Sequence, residues 1–309
     1  MFCTLIVITF RPRFSKVPEK YLQPSDAPIL FSIIEDLRIN LNSSPIDYIV
    51  LSTELNASMG YAGWNGKKVL TLGYPLFLIL NAQETVEVIS HELAHNVNKD
   101  PMRGYFQWYA SISLQRWYEI TYPLQIVSTG GGIFTLLFSV PYNLCLWMVS
   151  QVFKWLMILF NWLMWRDSQR AEYYADYLAM TMSGNSCFES IFQKLGYHNE
   201  LSLAVQKAVL HKLEDRVFQF FLESVGNLPD YEVKRIRQVN MLYESRVDST
   251  HPPTPYRIGF ASSRGVIPPG YNLTDYKHRQ LLEELQKFET SVIQILCDEY
   301  KAVLYQIYD

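Results

Sequence analysis

The chain has 309 residues, enough for one large or two ordinary domains whose core needs no disulfide or metal to stabilise it. Its net charge of −3 and pI near 6.1 give no basic field to attract phosphate backbones, which argues against nucleic acid as a partner. Charged residues make up only 18%, against about 25% in ordinary soluble domains. The missing charge is concentrated in one segment, between residues 120 and 165.

The cysteines and the N-terminus suggest a protein of a reducing compartment. The four cysteines are far apart and form no paired spacing, which predicts no cysteine metal site: Cys3, Cys145, Cys187 and Cys297. The N-terminal "MFCTLIVITFRPRF" lacks the basic start and small-residue cleavage site of a signal peptide. Its β-branched residues predict a strand.

The first hundred residues predict a helix, two strands and a second helix. "SDAPILFSIIEDLRINLN" has apolar residues at helical spacing through Leu41, with Ser25 as the expected cap. "DYIVLS" and "KKVLTLG" read as strands around an irregular loop, "MGYAGWNG". Asn81 precedes Glu84 by three residues, a capping-box arrangement that predicts a helix to about Val97.

The segment from Ile120 to Trp165 contains a single charged residue, Lys154. It is long enough for two membrane-spanning helices of roughly 20 residues each. "SVPYNL", around Pro141, is the expected turn. Lys154 would then lie near the middle of the second leg, where burying a lysine in the bilayer costs about 2.5 to 3.5 kcal/mol. A re-entrant hairpin avoids this cost. The alternative is an apolar pair of core helices in a soluble protein.

The rest of the chain predicts amphipathic helices, interrupted by "STHPPTPYRIG" and "GVIPPGYN" before a last helix from about Thr274. The expected fold is therefore α+β and mainly helical, with a small sheet and an inserted hydrophobic hairpin. The expected parts are residues 1–119, the hairpin 120–165 and residues 166–309.

"ETVEVISHELAHNVNKDP" places two histidines four residues apart on the second predicted helix. His91 and His95 lie about 40° apart around the helix axis, so both can reach one ion. An apolar stripe occupies nearly the opposite side: Val86, Ile89, Leu93 and Val97. A HExxH string arises by chance in roughly one chain in a hundred of this length, and the helix placement reduces that risk.

A catalytic zinc ion normally has three protein ligands, so this motif requires a third one elsewhere. The best candidate lies in "SQRAEYYADYLAM", where Glu172 and Asp176 are again four residues apart. One carboxylate can bind the metal while the other holds a ligating histidine through its free ring nitrogen. Taken alone, such a pair is more often a solvated helix face.

These segments resemble the HtpX-like and CAAX-prenyl-endopeptidase-like zinc metallopeptidases of the gluzincin class. The matching blocks are "GKKVLTLG", "ETVEVISHELAHNVNKD", "RAEYYADYLA" and "THPPTPYRI", in the family's order, over about residues 52–259. The sequence departs from the family in having no hydrophobic hairpin before the first block, and in "MGYAGW" at the usual first strand. The resemblance implies a zincin-like domain with the hydrophobic hairpin inserted between its zinc-ligand helices.

The resemblance implies one catalytic Zn²⁺ held by His91, His95 and Glu172, with Glu92 as the catalytic base and Asp176 supporting a ligand. Zinc lowers the pKa of a bound water towards about 7, and Glu92 would take its proton and deliver it to the leaving amine. His251 or Arg257 is the expected oxyanion donor. The alternative for that loop is a rigid proline turn with an exposed histidine.

The expected function is a membrane-associated zinc endopeptidase that acts on peptide or protein substrates, membrane proteins among them. "KKVLTLG" is expected to offer a sheet edge to an extended peptide. Arginines on both flanks of the hydrophobic segment predict an inner, cytoplasmic-type membrane with the active site facing the cytoplasm. The alternative is a catalytically silent, metal-stabilised scaffold that binds a membrane partner.

Overall fold

The computed structural model describes residues 15–63, 65–98, 100–123, 133–242 and 252–308. The strand predicted at the N-terminus and the candidate His251 lie outside these ranges. The described residues divide into two compact units, of which one contains residues 102–169 and the other contains 15–101, 170–242 and 252–308.

Three strands in the described part form one small sheet: β1 (Tyr48–Ser52), β2 (Ala57–Ala62) and β3 (Lys67–Gly73). Their order is β1-β3-β2, with β3 parallel to β1 and antiparallel to β2. Both predicted strands are confirmed. Two expectations were wrong: β2 forms where a loop was predicted, and β3, the predicted edge, is the central strand because its pairing with β2 covers that side.

Helix α1 (Pro28–Asn40) confirms the first predicted helix, but its start is stabilised differently. Ser25 was expected to cap it, yet the helix has no side-chain cap from its own N-terminal residues. The carboxylate of Glu284 instead accepts the amides of Ile29 and Leu30, at 3.0 Å each. A residue more than 250 positions along the chain therefore satisfies amides that a helix leaves free at its start.

A short helix, α2 (Tyr74–Ile79), leads into α3 (Ala82–Asn98), which carries the histidine motif. The capping box is confirmed, because the Glu84 amide donates to Asn81 Oδ1 at 2.9 Å and the Asn81 amide donates to Glu84 Oε2 at 2.7 Å. The predicted apolar stripe packs into the core, with Val86, Ile89 and Leu93 fully buried.

From residue 133 onward, the hydrophobic segment is one long helix rather than two legs around Pro141. Helix α5 (Ile133–Ser183) runs through Pro141, and α4 (Asp100–Thr121) precedes it. The turn predicted at Pro141 was therefore wrong. A proline removes one backbone hydrogen bond, and no glycine lies between residues 133 and 165 to support a turn.

Helices α4 and α5 pack antiparallel within their unit. Ser111 Oγ donates to Asn161 Oδ1 at 3.1 Å, and the rings of Trp117 and Phe153 stack at 5.9 Å between centroids. Helix α5 is the one described helix long and apolar enough to cross a membrane, and only 6% of its most apolar window is buried. Large apolar side chains thus face outward along α5.

The remaining helices complete the second compact unit: α6 (Phe188–Leu195), α7 (His198–Leu210), α8 (Val217–Gly226), α9 (Asp230–Leu242), α10 (Thr254–Ser263), α11 (Asp275–Gln286) and α12 (Glu289–Tyr308). Thr274 caps α11, so the last predicted helix begins as expected but is two helices, α11 and α12. The core of this unit joins the sheet with α1, α2, α3 and α8. The prediction of a mainly helical α+β fold is confirmed.

Candidate metal centre

Helix α3 presents His91 and His95 on the same side, as their spacing predicts. Their Nε2 atoms lie 3.1 Å apart, and the two rings are perpendicular with centroids 4.7 Å apart. Both side chains are only partly exposed, at 14% and 11%. The two ring nitrogens therefore converge on one point beside the helix.

Glu172, on α5, meets the two histidines at that point. Its carboxylate oxygens lie 3.6 Å from His91 Nε2 and 3.5 Å from His95 Nε2. One donor atom from each of the three residues lies within 4.8 Å of the others. The structure thus brings together the three residues that the sequence nominated as ligands.

The donor set fits a catalytic zinc ion. Such ions take three nitrogen or oxygen ligands at about 2 Å in tetrahedral geometry, which places the ligand atoms about 3.3 Å from one another. The distances of 3.1, 3.5 and 3.6 Å between these donor atoms match that spacing. Two imidazoles and a carboxylate would leave the fourth position to water or substrate.

Asp176 lies one turn beyond Glu172 and contacts the other nitrogen of His91. Its Oδ1 is 3.1 Å from His91 Nδ1, and its side chain is fully buried. A carboxylate there fixes the ring orientation and directs the Nε2 lone pair towards the metal position. Sequence reasoning anticipated this pairing of the two carboxylates.

Arg257, on α10, binds Asp176 rather than pointing freely into the site. Its Nε donates to Asp176 Oδ2 at 2.8 Å and its Nη2 donates to Oδ1 at 2.5 Å, a two-bond fork. Burial alone would lower the pKa of Arg257, but the adjacent Asp176 and Glu172 carboxylates raise it overall. The guanidinium is therefore a permanent charge beside the two acids.

Glu92 is 8% exposed and lines the cavity beside His91 without belonging to the three-residue donor group. That position suits a base that acts on a water molecule rather than a ligand. The second donor candidate, His251, lies outside the described residues.

A cavity of about 190 Å³ opens beside His91 and Glu92. One wall is apolar and comes mostly from α6, and Ala57 of the edge strand β2 also lines the cavity. Glu87, one helical turn before His91, lines it too and is 3% exposed. Burial raises the pKa of Glu87 to about 8, although a hydrogen bond from Ser183 opposes the shift.

Sequence reasoning missed Glu87 and the α6 wall. Glu87 could have been found from spacing alone, because a residue four positions before His91 shares its helix face. The α6 wall carried no comparable signal, since it depends on how a helix packs about 100 residues further along.

Two histidines from one helix and a glutamate from another lie beside a buried glutamate and a cavity, which is the arrangement expected of a metallopeptidase site. The sequence profile of Peptidase family M48 matches residues 24–264, and the chain belongs to that family. The resemblance to HtpX-like and CAAX-prenyl-endopeptidase-like enzymes is thereby confirmed at the level of the family. Members of this family are zinc metalloproteases.

The crystal structure of S. mikatae Ste24p is similar to this chain, with 15% sequence identity and a TM-score of 0.36. The alignment covers 84% of this chain and 56% of that one, so the chain spans just over half the length of that protein. No curated protein sequence matches the chain.

Proposed function

We propose that this chain is a membrane-associated zinc endopeptidase in which His91, His95 and Glu172 hold the ion. The observation that carries the proposal is the convergence of three donor atoms within 4.8 Å, at spacings that suit tetrahedral zinc. When bound, zinc supplies a Lewis acid that lowers the pKa of water and polarises the scissile carbonyl.

Glu92 is the proposed general base. It lies next to His91 in sequence, lines the same cavity and is largely shielded from solvent. It would take a proton from the attacking water and pass it to the leaving amine, which converts a poor leaving group into a neutral one.

Asp176 and Arg257 are proposed to position the ligands. Asp176 holds His91 through Nδ1, and the guanidinium of Arg257 holds Asp176 with two hydrogen bonds. A direct oxyanion role for Arg257 rests on its remaining nitrogen, Nη1, because Nε and Nη2 are already engaged. His251 remains a second candidate donor on resemblance alone.

Strand β2 is the proposed docking site for an extended substrate. It pairs with β3 on one side, contacts α3 and contributes Ala57 to the cavity wall. Its other side is an unpaired edge in the described part of the sheet, where backbone groups can bind a peptide with little demand on side chains.

Membrane association is proposed to occur through the apolar surface of α5. Phe138 and Trp155 are 72% and 68% exposed, an arrangement that water disfavours and a lipid bilayer suits. His91 and His95 precede this segment and Glu172 follows it, so a shared ion requires both flanks on one side of the membrane. The arginines of the flanks favour the cytoplasmic side of an inner-type membrane.

The competing function is a catalytically silent, metal-stabilised scaffold that binds a membrane partner. Casein hydrolysis by the purified, zinc-loaded protein separates the two. The wild type should cleave casein, and Glu92→Gln should keep zinc while losing nearly all activity. Equal cleavage by both proteins would contradict the role of Glu92, and zinc binding without any cleavage would favour the scaffold.

A further inference from the structure

The cavity beside His91 and Glu92 has an apolar wall along most of its depth. Leu76 of α2, Val88 of α3, and Ile191 and Leu195 of α6 contribute to it. At about 190 Å³, the cavity has room for a long amino-acid side chain.

Glu87 supplies a carboxyl group to this otherwise apolar space. Ser183 Oγ donates to Glu87 Oε2. The side chain is nine-tenths or more buried, and no lysine or arginine of the described chain lies within ion-pair distance of it. A buried carboxyl group of this kind is costly to ionise unless a cation lies beside it.

Acidic side chains outnumber basic ones in the cavity lining, where Glu87, Glu92 and Asp176 lie with Arg257. Arg257 is already fixed on Asp176 by two hydrogen bonds. Glu87 is therefore the acid of this lining that a cation from a substrate can pair with.

We propose that this cavity selects a basic residue, lysine or arginine, next to the cleaved bond, with Glu87 as the specificity-determining residue. The inference rests on the proposed function, because the cavity shares His91 and Glu92 with the metal centre. The aliphatic stem of the basic side chain would lie along the apolar wall. Glu87 would release its proton as the cationic tip binds, and the two groups would form a charge-assisted hydrogen bond.

The test uses quenched fluorescent peptides identical except for one residue next to the cleaved bond: lysine, arginine, norleucine or glutamate. Norleucine keeps an aliphatic stem like that of lysine but lacks the cation. The zinc-loaded wild type should cleave the lysine peptide with a kcat/KM about 30-fold above that of the norleucine peptide, since a buried charge pair is lost. Glutamate should be the poorest substrate.

Glu87→Gln should reduce the ratio of kcat/KM for the lysine peptide to that for the norleucine peptide to nearly one. Glutamine can still accept the Ser183 hydrogen bond, so the fold and zinc content should be preserved. Glu54→Gln is the matched control, because Glu54 is an exposed acid that makes no ion pair among the described residues. It should keep the wild-type ratio.

Binding separates this proposal from the proposed function. Peptide affinities for Glu92→Gln, measured by fluorescence anisotropy with and without zinc, should show the lysine preference even if no peptide is cleaved. If the wild type cleaves no peptide but the lysine peptide still binds more tightly than the norleucine peptide, the peptidase assignment is wrong and the basic-residue proposal stands. A norleucine peptide that binds and reacts as well as the lysine peptide, or a ratio unchanged by Glu87→Gln, would overturn the basic-residue proposal.

Discussion

The buried carboxyl of Glu87 should make the protein less stable as the pH rises, and Glu87→Gln should remove that dependence. Burial raises the pKa of Glu87 from 4.5 to about 8 in the folded chain. Between these values the folded state keeps a proton that the unfolded state has lost. Stability due to this group is therefore greatest below about pH 4.5 and falls until about pH 8.

The size of the effect follows from the pKa difference. One pKa unit corresponds to about 1.4 kcal/mol, so at pH 7 the unfolding free energy is reduced by about 3 kcal/mol relative to acid pH. Above pH 8 the reduction levels off at about 5 kcal/mol. Glutamine carries no such proton and should not show this slope.

Urea unfolding of the chelator-treated protein in detergent, followed by tryptophan fluorescence from pH 5 to 9, measures the difference directly. The advantage of Glu87→Gln over the wild type should grow from about 1 kcal/mol at pH 5 to about 3 kcal/mol at pH 7. Glu54→Gln should follow the wild type. Parallel pH profiles for Glu87→Gln and the wild type would refute the reasoning, because they would mean that Glu87 titrates normally.

Three further predictions concern other residues. Glu172→Ala should leave a two-histidine site with much weaker zinc affinity by metal analysis, and full occupancy would place the third ligand elsewhere. Arg257→Lys keeps the charge but loses the two parallel hydrogen bonds to Asp176, so zinc affinity or kcat should fall about 10- to 100-fold. If both values are unchanged, these hydrogen bonds do not position the ligands. Glu284→Gln should lower the unfolding free energy by about 1 to 2 kcal/mol, because a neutral amide supports the backbone amides of α1 less well than a carboxylate does. Activity per folded molecule should not change. An unchanged unfolding midpoint would argue against the cap.

Local chemistry made the metal-site helix predictable. Asn81 and Glu84 satisfy each other's amides within three residues, and the positions of His91 and His95 follow from helix geometry alone. Glu172 required a second helix with matching chemistry. Both the capping box and the convergence of the three donor residues are therefore readable from short stretches of sequence.

Two of the incorrect predictions, those for β2 and for the cap of α1, involve residues that are far apart in the sequence. Residues of β2 include a glycine and little β-branched character, and the strand exists because β3 pairs with it. Ser25 looked like a cap, but the capping group is Glu284. Pro141 looked like a turn, yet the long helix around it tolerates the one hydrogen bond that proline removes.

The capping of α1 by Glu284 has a consequence for synthesis on the ribosome. The amides of Ile29 and the carboxylate that satisfies them are 255 residues apart, so at about 5 to 20 residues per second roughly 10 to 50 s separate their appearance. His91, His95 and Glu172 all emerge within that interval. A nascent chain thus has its full set of metal-binding groups before its first described helix can be completed, and α1 should be among the last elements to become protected from hydrogen exchange.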